Sequence, residues 1–314
     1  MTNLKIVELE NADFITHNGF FHADEVFGTV LLCKVFDEVN LCRAKNINAS
    51  RFSDSIIIYD TGNSKFDHHE NPKNRPNGNP YSSFGLLWKE YGRKYINEKI
   101  GITDSKKVNT IFNIFDRFVT GIDVIDCIGS RSQKVSDSYN IYNISDIIST
   151  FNKRWDEEDT EDEVVQNSNF IKAVYFAETV FDNIMKNTIS NIIAKDELEN
   201  AIEKSNGRIL ILEKFIPWQT NIFFSRNAKS KQILFVIFPS LRGGFNCQTV
   251  PIEFRSRTQK VLFPSEWAGK TKKELANITG IKTATFCHLE RFICGAETLE
   301  DTIQLAVLAL KNLK

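Results

Sequence analysis

Between positions 13 and 60 the chain alternates strand-like and helical runs, and few architectures accept that order. "DFITH" (13–17), "VNLCRA" (39–44) and "SIIIYD" (55–60) are short, apolar and bounded by polar turns, as buried strands are. "ADEVFGTVLLCKVF" (23–36) places Val26, Val30 and Cys33 on one helical stripe. "SSFGLLWKEYGRKYINEKIG" (82–101) does the same with Phe84, Leu87, Trp88, Tyr91 and Tyr95, with Ser82 or Ser83 available as a cap. Strand, helix, strand in succession predicts an α/β fold, a parallel sheet with helices on its faces.

The texture changes further along. An acidic run, "DEEDTEDE" (156–163), reads as a solvated loop, and 168–204 as a polar helical segment. From 207 onward "RILILE", "QILFVIF", "TVPIEF" and "TATFCHL" are strand-like, and "DTIQLAVLALKNL" closes the chain as an amphipathic helix. The expected organisation is therefore an N-terminal parallel-sheet domain (1–140), a helical connector (141–204) and a smaller C-terminal α+β domain (205–314). With 42% apolar and 25% charged residues the chain can bury an ordinary core. No run of apolar residues is long enough for a membrane span, and the first residues show no targeting pattern. The six cysteines form no C-x-x-C pair, so free thiols in a reducing cytoplasm are expected. Net charge is −1, yet residues 205–314 hold 16 basic and 8 acidic side chains, leaving +8 there and −9 in residues 1–204. A basic half of this kind suits an anionic partner.

Four of the five histidines fall between 17 and 69. "THNGFFHADE" brings His17, His22 and Asp24. "SIIIYD" ends in Asp60, and "KFDHHE" supplies Asp67, His68 and His69. His17 and Asp60 each end an expected strand, and ligands of open parallel sheets gather beyond the carboxyl ends of the strands. Mixed imidazole and carboxylate donors suit a borderline divalent ion such as Mn²⁺. The set exceeds what one tetrahedral site uses and fits a two-metal centre. "TGIDVIDCIG" (120–129) adds Asp123 and Asp126, three apart, either of which can be a last ligand.

In this order the motifs resemble those of the DHH phosphoesterase superfamily. Within it, "THNGFFHADE", "FDHHE", "RPNGNPYSSFGLLWKEYG", "FNKRW" and "VPIEF…LFPSEWAGK…GI…FCH…FICG" resemble the Myg family, named for a melanocyte proliferating gene. The resemblance covers nearly the whole chain. It implies a two-Mn²⁺ phosphoesterase, with Mg²⁺ as a substitute, and for eukaryotic members a 3′–5′ RNA exonuclease. The wording "RPNGNPYSSFGLLW" points to a bacterial branch. His22 stands where the superfamily usually has an aspartate, and "IDCIG" lacks the family's Asp-Asn-Gly, which leaves the final ligand between Asp123 and Asp126.

The expected metal ligands are His17, His22, Asp24, Asp60, Asp67, His68, Asp123 and Asp126. Asp67, as a bridging carboxylate, His68 and His69 are the catalytic candidates: either histidine can give the proton if it is not a ligand, and in a tight loop His68 is the ligand and His69 stands behind it or acts as the acid. Substrate contacts are expected from Ser82 and Ser83, from Arg242 beside two glycines, from Arg255 and Arg257 on one strand face, and from His288. Trp218 is a core residue or a stacking platform. The expected function is an Mn²⁺-dependent phosphodiesterase, a 3′–5′ exonuclease on RNA or short oligonucleotides, with a homodimer among its partners. The alternatives are a hydrolase of a small phosphorylated molecule and a non-catalytic, metal-stabilised nucleic-acid-binding protein.

Overall fold

A computed structural model describes residues 3–129, 141–157, 163–205 and 207–312. The boundary expected at 140 and most of the acidic run 156–163 lie outside them. The chain forms two compact units, Met1–Ile189 and Ser190–Lys314.

The first unit is built on a four-stranded sheet of β1 (Leu4–Ile6), β2 (Phe14–His17), β3 (Val39–Ala44) and β4 (Ile57–Ile58), in the order β1-β3-β2-β4. Every pairing is parallel, with Phe14 opposite both Leu41 and Ile57. Between β2 and β3 runs helix α1 (Ala23–Val35), buried along almost its whole length. That explains why its sequence is apolar nearly all round. Since β2 leads to β3 on one side while β4 lies on the other, a crevice opens at the carboxyl ends of β2 and β4.

A small hairpin, β5 (Lys73–Asn74) and β6 (Pro80–Tyr81), precedes α2 (Ser83–Lys94). Helix α3 (Ser105–Ile128) starts at Asp104, whose carboxylate accepts from Lys107 N. Helices α1, α2 and α3 close on an aromatic cluster. Trp88 stacks on Phe112 at 5.2 Å, and Phe115 meets Phe181 edge-on at 4.8 Å. Two more helices follow, α4 (Ile144–Ser149) and the 42-residue α5 (Glu163–Lys204). The expected connector is thus largely one helix, and the division between the units falls within it.

The second unit holds β7 (Ile209–Ile211), α6 (Trp218–Phe223), β8 (Phe235–Pro239), β9 (Phe245–Thr249), α7 (Lys272–Thr279), β10 (Ala284–Cys287), β11 (Ile293–Ala296) and α8 (Leu299–Lys311). Its five-stranded sheet has the order β10-β11-β9-β8-β7, antiparallel except for β7 with β8. Phe235, Ile237, Cys247, Leu305 and Ala306 share one core cluster. Val236, Phe238 and Trp218 join the end of α5 in another. Trp218 is thereby a core residue, 1% exposed. The expected strand "TVPIEF" is displaced: β9 is Phe245–Thr249, and the chain turns after it. No described helix is long and apolar enough to cross a membrane.

Candidate metal centre

The first donors sit where β2 gives way to α1. His17 ends β2, and the loop behind it is held from two sides. Buried Arg43 donates to Gly19 O at 2.8 Å, and its guanidinium lies over the rings of Phe21 and Phe170. The Asn152 side chain, from "FNKRW", bonds both the N–H and the C=O of Phe21, at 2.9 and 2.8 Å. The loop then delivers His22, whose N–H donates to Glu25 Oε2 at 2.8 Å. Asp24 and Glu25 occupy the first turn of α1, where the helix dipole favours negative charge.

The second group comes from the end of β4. Asp60 adopts a left-handed backbone, φ 57°. That conformation is uncommon outside glycine but accessible to aspartate. Its N–H donates to Phe66 O at 3.1 Å, and Ser64 Oγ donates to Ile58 O at 2.7 Å. The loop therefore folds back and sets residues 67–69 beside Asp60. Asp67 accepts from Asn63 N and His69 N, and pairs with His69 Nδ1 at 2.8 Å. His68 has Nδ1 3.4 Å from Asp60 Oδ1 and Nε2 3.0 Å from Asp126 Oδ2 of α3.

These groups converge. His17 Nε2 lies 3.0 Å from Glu25 Oε1 and 3.2 Å from Asp60 Oδ2. Overlapping sets of donors come within 4.8 Å of one another: His17, His22 and Glu25; Asp24, Glu25 and Asp60; His22, Asp24 and Asp126; Asp60, Asp67, His68 and His69. Asp24 and Glu25 are 0% exposed and Asp60 2%. Asp24 Oδ1, Asp60 Oδ1 and His68 Nδ1 are buried without a hydrogen-bond partner. Burying carboxylates and leaving their oxygens unpaired is costly. A divalent cation removes that cost, so the donor chemistry fits one. His22, Asp60 and His69 line both of two cavities flanking the donors, of about 700 and 560 Å³.

The charges are strongly perturbed. Burial pushes the Glu25 carboxyl up to about 7, against the opposing hydrogen bond from His17. Burial, then the Asp24 charge, holds Asp60 well above the ordinary carboxylate range. Burial disfavours charge on His17, but Asp60 and Glu25 outweigh it and raise its pKa to about 11. The Asp67 bond raises His69 to about 9. Burial resists ionisation of Asp67, yet the His69 contacts bring it down to about 2.

A pH dependence follows. The folded pKa of Glu25 is above its unfolded value, so its stabilising contribution is complete below about 4.5 and is lost as pH rises through about 7. His69 contributes below about 6.5 and stops contributing as pH rises through about 9. The melting temperature of the chelated protein is therefore expected to fall from about pH 5 to about pH 9. A bound cation favours the ionised carboxylates and flattens that decline. Calorimetric scans with and without chelator measure it. A melting temperature that rises with pH in the chelated protein contradicts this reading of the site.

The structure separates the two helical aspartates. Asp126 meets His68 and lines the larger cavity. Asp123 is 0% exposed and turned away into α2. It pairs with Arg75 Nη1 at 2.7 Å and accepts from Ser82 Oγ and Gly85 N. Its carboxylate fills the space where a Cβ on residue 85 would stand, so that position requires glycine. Ser82 and Ser83, expected at the substrate, are fully buried instead. Ser83 donates to Asp24 Oδ2 through both N–H and Oγ. The two serines anchor carboxylates. Glu25 carries no separate signal in the sequence, since an acid in the first turn of a helix is explained by capping alone. Asp67 accepts hydrogen bonds within its own loop and stands in one donor set with Asp60, His68 and His69, while Asp24, Glu25, Asp60 and Asp126 each belong to two sets.

The basic candidates lie in the second unit. Arg242 belongs to the β8–β9 turn and lines a cavity of about 520 Å³ with Phe215, Asn246 and Phe286. Arg255, Arg257 and His288 are not among the residues lining it. Arg255 and Arg257 sit in a loop rather than on a strand, so the shared face expected of them does not form. Arg255 has φ 65°, and its guanidinium lies over Phe254 at 5.0 Å. His288 follows β10, and its Nδ1 accepts from Glu290 N.

Residues 13–310 match the family model MYG1_exonuc, described as Uncharacterised protein family (UPF0160). The chain is 29% identical to the MYG1 protein of Dictyostelium discoideum, over 95% of this chain and 96% of that one. It is 26% identical to the MYG1 exonuclease of Mus musculus, over 93% of this chain and 83% of that one. Among solved structures, RecJ with Mg²⁺ from Thermus thermophilus gives a TM-score of 0.28 at 10% identity, covering 95% of this chain and 49% of that one. That likeness is too weak to bear on function.

Proposed function

The chain belongs to the MYG1 family, UPF0160, and on that premise we propose that it is a metal-dependent hydrolase acting as an exonuclease. The observation that supports this reading best is the set of buried, unpartnered donor atoms between two cavities of nucleotide size. His17, His22, Asp24, Glu25, Asp60, His68 and Asp126 are the residues that would hold the ions. Mn²⁺ is the ion we favour, with Mg²⁺ as substitute. Such ions, when bound, supply an acidified water and neutralise a phosphate. The chain's own residues do the rest. Ser82 and Ser83 fix Asp123 and Asp24, and the β4 loop fixes Asp60. Asp67 engages His69 Nδ1, which leaves Nε2 to deliver a proton to the leaving oxygen. His69 is 59% exposed, and its bond to Asp67 favours the protonated imidazole.

We assign the attraction of the anionic chain to the basic second unit, through Arg242, Arg255 and Arg257, with His288. We propose RNA or a short oligonucleotide as substrate, digested from the 3′ end, in the cytoplasm, where the six thiols stay free. The test is end-labelled RNA and DNA incubated with purified protein and Mn²⁺, resolved by product length at two salt concentrations. A ladder of single-nucleotide steps from the 3′ end is expected, with a rate falling steeply as salt rises. Internal cuts, or no cleavage at any ion concentration, contradict the reading. Cleavage of only the shortest substrates, insensitive to salt, favours a small phosphorylated substrate.

A further inference from the structure

Next to Asp126 the chain places a thiol. Cys127 is exposed, whereas the other five cysteines are buried. Its Sγ lies 3.6 Å from Tyr81 O, and it lines the same cavity as His68 and Asp126. His68, Asp126 and Cys127 each present a ligand atom within 4.8 Å of the others. A second donor group, His22, Asp24 and Asp126, shares Asp126 with it. Asp24 is fully buried and its Oδ1 has no hydrogen-bond partner. A polar atom committed to no protein group therefore belongs to the donors that meet at Asp126.

Thiolate changes what such a site prefers. Carboxylate and imidazole accept Mn²⁺ and Mg²⁺ readily, but a sulfur ligand selects softer ions, and Zn²⁺ already outranks Mn²⁺ on nitrogen and oxygen donors. Imidazole, carboxylate and thiolate at one point also match the donor types that Zn²⁺ takes in four-coordinate sites. We propose that Cys127 joins His68 and Asp126 as a thiolate ligand, so that this edge of the centre takes a thiophilic divalent cation of the Zn²⁺ class in preference to Mn²⁺ or Mg²⁺. Binding releases the thiol proton to solvent as the sulfur–metal bond forms, with no change of oxidation state. The inference rests on the metal centre described above, not on the identity of the substrate. Its consequence is that Zn²⁺ competes with the harder ions for His68 and Asp126 and so opposes the turnover they support.

Co²⁺ is the probe, since a cobalt–thiolate bond adds near-ultraviolet charge-transfer absorption to the visible bands that any bound Co²⁺ shows. Metal-stripped full-length protein titrated with Co²⁺ is expected to develop both. Cys127→Ser is expected to keep the visible bands and lose the charge-transfer absorption. Alkylation of Cys127 by iodoacetamide, followed by mass spectrometry on the unmutated protein, gives a second reading that does not depend on a variant folding. Zn²⁺ should protect Cys127, and Mn²⁺ at equal concentration should not. Charge-transfer absorption missing at Co²⁺ saturation, its persistence in Cys127→Ser, or equal protection by the two ions overturns the proposal. Neither measurement involves cleavage of a phosphodiester, so a failed exonuclease assignment leaves both outcomes readable.

Discussion

Asp60→Asn is expected to cost about a thousandfold or more in hydrolysis, the several kcal/mol that a metal centre contributes to stabilising transition-state charge. The metal-free fold should lose nothing. An asparagine at this position can keep the left-handed backbone that the β4 loop requires. The substitution also removes a carboxylate that burial already disfavours, held well above its usual pKa. His17 retains Glu25 as a partner. The chelated variant should therefore melt at or above the temperature of the chelated unmutated protein. Mn²⁺ should raise its melting temperature less, since only an ion bound to the native state stabilises by mass action. Steady-state hydrolysis and paired melting curves decide it. Turnover at the unmutated rate removes Asp60 from the centre.

Replacing the two helical aspartates should have opposite consequences. Asp123→Ala strips an acceptor from Ser82, Gly85 N and Arg75, and Arg75 is only 5% exposed. Breaking a buried pair costs about 3–5 kcal/mol, and the lower end applies because Arg75 keeps Asp116 at 3.1 Å. Asp126→Ala should leave denaturant stability close to that of the unmutated chain. Its loss removes the partner of His68 Nε2 and a donor from the cavity wall, so ion affinity should fall by at least about 10–100-fold, the scale even of changes around metal ligands. Urea melts and Mn²⁺ titrations of the two variants separate them. If Asp123→Ala loses the ion while keeping its stability, the assignments are reversed.

The contrast between these residues shows what the sequence could say. Alternating apolar runs announced the parallel sheet, and the histidines and aspartates at its strand ends announced a donor cluster, because strand ends in such a sheet share one edge. The spacing of Asp123 and Asp126 could not rank them, since both lie on one helix within a turn. Arg75 and Gly85, distant in sequence, set their surroundings apart by engaging Asp123, while Asp126 meets His68. Ser82 and Ser83, expected as substrate contacts, donate inward to Asp123 and Asp24. Asp67, part of a triplet in the sequence, also fixes its own loop through Asn63 N and His69, which only the folded chain shows. In the second unit "TVPIEF" outscored "FNCQT" in apolar content, and the strand formed on "FNCQT" because register with β8 and β11 sets the pairing. The arginines beyond it lost their shared face for the same reason.

The acids and histidines gathered around Asp60 are expected to hold a pair of divalent ions. Metal analysis after equilibrium dialysis against Mn²⁺ tests it most directly, on the unmutated chain beside Asp60→Asn. About two ions per chain are expected in the first, as for a two-metal site with a shared carboxylate, and fewer in the second. An unmutated chain that retains no Mn²⁺, or a variant that retains as much as the unmutated chain, contradicts the account.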